Sequence, residues 1–267
     1  IMKVRTIIIS VCTLIMLSSC VSEYEKLLRG NDSQTKYATA FQLYEEGKYS
    51  KAADMFESLS VAMRGTPQDD TVQFYWAMSN YKYKDFITAQ NNFSEFITVF
   101  PLSPFAEQAR FYFIDCLYRT TYRYELDQTP TNRALVEMNR YMSLYPESEY
   151  CGIIEGMKDD LEERLDKKAF EAAHLYYHME DYLAAHYALK NVLKEDADNR
   201  YREDILYYVA MSAYKYAENS VSGKKHERYL SFVDDYYNFV SEFPESKHRR
   251  ELDNLYERVN RIIKRIN

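Results

Sequence analysis

Residues 74–83 read FYWAMSNYKY, and far downstream residues 207–216 read YYVAMSAYKY. Two segments so alike and so distant mark a chain built from copies of one unit. Around both, apolar residues recur at three- and four-residue spacing with little period-two alternation, which is the helical pattern. One helical hairpin cannot bury its own apolar face, so the copies must stack side by side. The fold class expected is all-α: a right-handed α-solenoid of about five helical hairpins with a C-terminal capping helix. Its long surface suits holding other chains better than catalysis.

The copies can be read one by one. In the first, Ala40, Gly47, Tyr49, Ala52, Phe56 and Leu59 fall at the spacing of a tetratricopeptide repeat. Gly47 can take the left-handed conformation that ends a helix, while Ala40 and Ala52 allow close helix approach. The second copy uses Ala77, Phe86, Ala89, Phe93 and Phe96 and closes at Pro101, with a period near the ~34 residues of such repeats. The third begins near Phe105 and resumes with Ala134, Met138 and Tyr141, its helices separated by a loop at 124–131. The fourth carries Ala173, Tyr182, Ala185, Leu189 and Val192, and the fifth Ala210, Phe232, Tyr236 and Phe239, with a longer polar loop at 219–227. Leu252, Leu255, Val259 and Ile262 give the final helix an apolar stripe that should cover the fifth hairpin. Three closures, VFPLSPF, LYPESEY and EFPESKH, make Ser103, Ser148 and Ser246 candidate caps for the next helix.

The N-terminus has a different purpose. Lys3 and Arg5 precede an apolar run at 7–17, shorter than the ~20 residues that span a bilayer, and small residues follow it. This is the pattern of a secretory leader. Leu17-Ser18-Ser19-Cys20 resembles the bacterial lipobox, which makes Cys20 the lipidation site and first mature residue, and Ser22 in place of aspartate favours the outer membrane. Each buried acyl methylene contributes about 0.8 kcal/mol, so acyl chains can hold a chain that has no spanning helix. The domain reading is a signal peptide at 1–19, a lipidated tether at 20–32, repeats 1–3 at 33–146, and repeats 4–5 with the capping helix at 147–267.

Composition narrows the function classes. With only 6 Gly and 6 Pro in 267 residues there is little to punctuate strands, and a formal charge of −7 argues against nucleic acid, whose binders need a basic surface. No glycine-rich phosphate loop, serine elbow or Cys/His constellation occurs. His174 and His178 stand four apart, without an accompanying motif, and read as a packed or solvated pair; no metal and no cofactor beyond the lipid on Cys20 is expected. Cys116 and Cys151 are either a disulfide or free core thiols. The 27 Tyr and 14 Phe are the unusual feature. On the first helix of each hairpin, aromatics stand seven apart, about two turns, and share a face: Tyr37/Tyr44, Phe74/Tyr81, Phe111/Tyr118, Phe170/Tyr177 and Tyr207/Tyr214. Such rings either line a groove or fill the space between helices. The basic tail from Lys247 is either a solvated face or a docking surface.

The lipobox, five repeats, the Asp127-Gln128-Thr129 insert in the third, and the aromatic-Pro-x-Ser closures together resemble the BamD-like family of outer-membrane assembly lipoproteins. That resemblance implies a non-enzymatic scaffold on the periplasmic face of the outer membrane. Its partners would be a BamA-like barrel subunit, other lipoproteins of the assembly machinery, and unfolded outer-membrane proteins. It also implies that the N-terminal repeats capture the C-terminal signal of unfolded substrates; if the rings there line a groove and do not pack between helices, Tyr37, Tyr44, Phe74, Tyr81, Phe111 and Tyr118 are the expected peptide-binding residues, with Lys36, Lys82 or Lys84 as charge partners. Arg258, Arg261 and Arg265 would dock the barrel subunit. Two other readings are a tetratricopeptide adaptor for a periplasmic enzyme and a glycan-uptake lipoprotein similar to the SusD group, although the large insertions of that group are missing here.

Overall fold

The computed structural model describes residues 23–266; the leader and Cys20 lie outside the described residues. Among these, twelve helices and no strand are present: α1 (Glu23–Arg29), α2 (Ser33–Glu45), α3 (Tyr49–Ala62), α4 (Asp69–Tyr83), α5 (Phe86–Val99), α6 (Ala106–Arg119), α7 (Thr129–Leu144), α8 (Cys151–His178), α9 (Tyr182–Glu195), α10 (Arg202–Glu218), α11 (Ser222–Glu242) and α12 (Arg249–Ile266). Helices α2 to α11 make five consecutive tetratricopeptide-like hairpins, and α12 caps the last. The chain folds as two compact units. The first runs to Thr121 and resumes at Pro130–Cys151; the second takes Tyr122–Thr129 and everything from Gly152. The sequence had placed the division at 146/147.

In the first unit, Ala40 and Ala52 are fully buried and bring α2 against α3, with Met55, Phe56 and Leu59 filling the same cluster. Part of the expected tether belongs to this core. Helix α1 places Tyr24, Leu27 and Leu28 on the cluster, and the Tyr24 hydroxyl donates to the Lys51 carbonyl and to Asp54 Oδ2, both at 3.1 Å. In the second unit, Phe170, Ala173, Leu189, Ile205 and Val209 join α8, α9 and α10. A second cluster joins α10, α11 and α12, in which Leu252 and Val259 are fully buried and Leu255 and Ile262 lie alongside. The apolar stripe of α12 covers the fifth hairpin as its spacing predicts.

Three hairpins turn in the same way. Gly47, Lys84 and Glu180 have φ of 73°, 69° and 61°. Each donates its N–H to the carbonyl three residues back, and the next residue, Lys48, Asp85 or Asp181, donates to the carbonyl five back, at 2.9–3.0 Å throughout. This double bond pattern closes a helix around one left-handed residue. The residue after it starts the following helix. Asp85 and Asp181 accept from Thr88 and Ala184 N–H at 3.1 Å, whereas Lys48 makes no such cap. Thus the first hairpin has the better turn residue, and the second and fourth the better cap.

Several local expectations change. Ser103, Ser148 and Ser246 do not cap the next helix directly; they stand before it. Each hydroxyl accepts from the N–H two residues on, at 3.0–3.3 Å, and donates to a carboxylate in the first turn of its own hairpin's first helix: Asp70 at 2.7 Å, Glu107 at 2.6 Å and Glu203 at 2.6 Å. Most of the stretch 219–227 is helix. Only Asn219, Ser220 and Val221 separate α10 from α11, because Lys225 Nζ satisfies the Glu218 carbonyl at 2.8 Å and Arg228 lies 4.0 Å over the Tyr216 ring. The loop of the third hairpin is held by α8: Lys168 Nζ takes the carbonyls of Tyr124 and Leu126 at 3.0 and 2.7 Å, and buried Gln128 ties the loop to itself. Cys116 and Cys151 are free thiols, and burial pushes the Cys116 thiol up to about 12.

The turns make a paired prediction. A side chain in the left-handed region costs roughly 1 kcal/mol, and no atom lies within 4 Å of a Cβ added at Gly47. Lys84→Gly should therefore raise unfolding free energy by about 0.5–1 kcal/mol, and Gly47→Ala should lower it by about 1 kcal/mol. Urea melts decide: shifts of the same sign in both variants would contradict the turn assignment.

Candidate peptide-binding and docking surfaces

The paired aromatics divide by position. The first ring of each pair is buried from the second hairpin onward: Phe74 is 3% exposed, Phe111 8%, Phe170 6% and Tyr207 8%. Each is covered by the ring that opens the next segment, face to face. Phe105 lies 4.5 Å from Phe74, Tyr150 4.1 Å from Phe111, Tyr201 5.3 Å from Phe170 and His248 3.9 Å from Tyr207, with interplanar angles of 13°, 16°, 3° and 17°. Phe74 and Phe111 are therefore core rings, and the groove reading fails for them. The covering rings follow the serine by two residues, and Asn199 stands in the serine's place before Tyr201, accepting from its N–H at 3.0 Å.

What stays half-buried in the first unit is Tyr37 and the second ring of each pair, Tyr44, Tyr81 and Tyr118. Tyr37 leans on Phe41 at 4.9 Å, and Tyr44 meets Tyr49 and Tyr75 edge-on at 5.4 and 5.2 Å. Burial raises the phenol pKa of Tyr44 and Tyr81 well above the ordinary value. Tyr81 also has a structural task. Its hydroxyl donates to Asp115 Oδ2 at 2.7 Å, and Arg119 Nε reaches the same oxygen at 2.5 Å. Asp115 is 3% exposed, so these two donors compensate a carboxylate that would be costly to bury alone. Of the charge partners, Lys36 is buried with its Nζ donating to Ser58 at 2.7 Å, while Lys82 and Lys84 are exposed. The sequence flagged neither Asp115 nor its counterpart in the second unit, Asp235, which takes His186 Nε2 and Lys190 Nζ at 2.7 Å each.

On α12 the basic residues face outward. Arg258 is 3.6 Å from Glu218, and Arg261 and Arg265 are exposed. His174 is buried, stacked 5.1 Å from Phe170 and tilted against Tyr208 at 3.9 Å; burial, then the neighbouring His178, lowers its pKa. Among the described residues no cluster of His, Cys, Asp or Glu is placed to hold a metal, and no helix is long and apolar enough to cross a membrane.

A family model described as "YfiO: Outer membrane lipoprotein" matches residues 29–228, from the end of α1 into α11. The chain belongs to that family. A solved structure similar to it is a thermophilic tetratricopeptide-repeat protein of Thermus thermophilus, 16% identical, covering 85% of this chain and 98% of that one, with a TM-score of 0.34. No curated protein matches. Membership in the YfiO family associates this chain with the outer membrane and its assembly lipoproteins.

Tyr81 and Tyr44 can be told apart by removing one oxygen. Tyr81→Phe takes a donor from a buried carboxylate and should cost about 1–3 kcal/mol, whereas Tyr44→Phe should stay within about 0.5 kcal/mol. Chemical denaturation measures both, and equal effects would show that the Asp115 contact contributes nothing.

Proposed function

We propose that this family member is a non-catalytic scaffold on the periplasmic face of the outer membrane, anchored by lipid on Cys20. It holds a BamA-like barrel subunit together with other assembly lipoproteins and receives unfolded barrel proteins. The observation that carries the reading is the outer-membrane lipoprotein match over 29–228, which takes in nearly all five hairpins. The half-buried rings of Tyr37, Tyr44, Tyr81 and Tyr118 support a substrate role. Aromatic faces give large contact area at low rotamer cost, which suits an extended peptide ending in an aromatic residue. Arg261 and Arg265 support the docking role, because exposed charges of one sign on an acidic chain steer encounter with an acidic partner while adding little to stability.

The test is co-purification from mildly solubilised outer membrane, followed by association kinetics. A BamA-sized barrel protein should be recovered; a TonB-dependent transporter or a soluble hydrolase in its place would overturn the proposal. Reversing Arg261 and Arg265 to Glu, which leaves the Arg258–Glu218 pair in place, should slow association severalfold at low salt and flatten its salt dependence. An unchanged rate would remove α12 from the interface.

A further inference from the structure

Within the first unit, α5, α6 and α7 frame a cleft of about 350 Å³ that takes no part in the surfaces described above. Its lining brings together Arg110, Arg133, Arg140 and Glu137, with Ile97 and Phe113 as apolar wall. Arg140 reaches Glu137 only at 4.0 Å. Arg110 and Arg133 have no carboxylate or hydrogen-bond partner among the described residues, and Arg110 Nε is wholly buried without one. A buried, unpaired guanidinium N–H is costly and calls for an acceptor. It is the more unusual in a chain where carboxylates outnumber Lys and Arg, 41 to 34, and where Asp115 and Asp235 are each held by two donors.

The lining also says which anion fits. Three guanidinium groups against one carboxylate leave an excess of two positive charges, which a dianion neutralises and a monocarboxylate does not. Guanidinium forks match phosphate oxygens two at a time. Ile97 and Phe113 offer an apolar surface for whatever group the phosphate carries. We propose that this cleft binds a phosphate monoester as its dianion, with Arg110 and Arg133 holding the phosphate and Arg140 completing the charge. Such a phosphate can come from a lipid headgroup or from a soluble ester.

Phenyl phosphate is the probe, titrated calorimetrically into the full chain at low salt. It should bind saturably at one site. Because the second phosphate pKa is about 6, binding should weaken several-fold between pH 7.5 and pH 5. Arg133→Gln, at an exposed position, and Arg110→Gln should each weaken it at least about tenfold with melting checked in parallel, and Glu137→Gln should tighten it. Benzoate should bind far more weakly. Capture of the Cys20→Ala chain, which lacks the acylation site, on phosphatidic acid vesicles and its loss in Arg133→Gln would assign the lipid source. Phenyl phosphate binding without vesicle capture would assign a soluble ester, and both uphold the site. No saturable binding, equal binding of benzoate, or affinity unchanged in both arginine variants would overturn it.

Discussion

Each hairpin from the second onward is sealed by one ring laid flat on another. The seal joins the first aromatic of a hairpin's first helix to the residue that introduces the following helix, and it recurs as Phe74/Phe105, Phe111/Tyr150, Phe170/Tyr201 and Tyr207/His248. An aromatic pair contributes about 0.5–1.5 kcal/mol beyond the area it buries. Position matters more than that increment. The covering ring can land only if the chain leaves the second helix at a fixed angle, and the Ser103, Ser148 and Ser246 staples to Asp70, Glu107 and Glu203 set that angle. Proline ahead of each serine narrows the approach further. The first hairpin follows a different course: Thr66-Pro67-Gln68 supplies no ring, Tyr37 stays half-buried, and α1 adds Tyr24, Leu27 and Leu28 to the cluster.

Electrostatics follow the same division between inside and outside. Buried Asp115 is compensated by Tyr81 from a neighbouring helix and by Arg119 from its own, and buried Asp235 by His186 and Lys190 from α9, so negative charge inside the units also links their elements. Arg261 and Arg265 on α12 stay outside on an otherwise acidic chain. In the proposed scaffold, charges spent on internal pairing would give rigidity and charges left outside would give partner choice.

Much of the fold was legible because it depends on local rules. The repeated FYWAMSNYKY unit, the small Ala40 and Ala52, the left-handed Gly47 and the stripe of α12 all follow from periodicity and backbone sterics. The failures share a physical cause. Whether a ring at helical spacing faces a groove or a core depends on what the next hairpin lays over it, so Phe74 and Phe111 could not be separated from Tyr44 and Tyr81 by spacing. The carboxylates that staple the closures lie 33 to 43 residues from their serines, and nothing local marks them. Lys36 appeared available for a ligand because its Ser58 partner sits on the other helix of the hairpin. At 219–227 the polar composition suggested a loop, but Lys225 and Arg228 return to α10 and its end and let the helix begin early. Asp127 to Thr129 did mark the insert, whose attachment to Lys168 depends on the unusually long α8.

The most direct test of the sealed-hairpin account is a double-mutant cycle on Phe111→Leu and Tyr150→Leu, read as unfolding free energies. Two rings stacked at 4.1 Å should show a coupling energy of about 0.5–1.5 kcal/mol. Losses that add to within about 0.3 kcal/mol would mean that the rings are buried independently and that the hairpins are held together by something else.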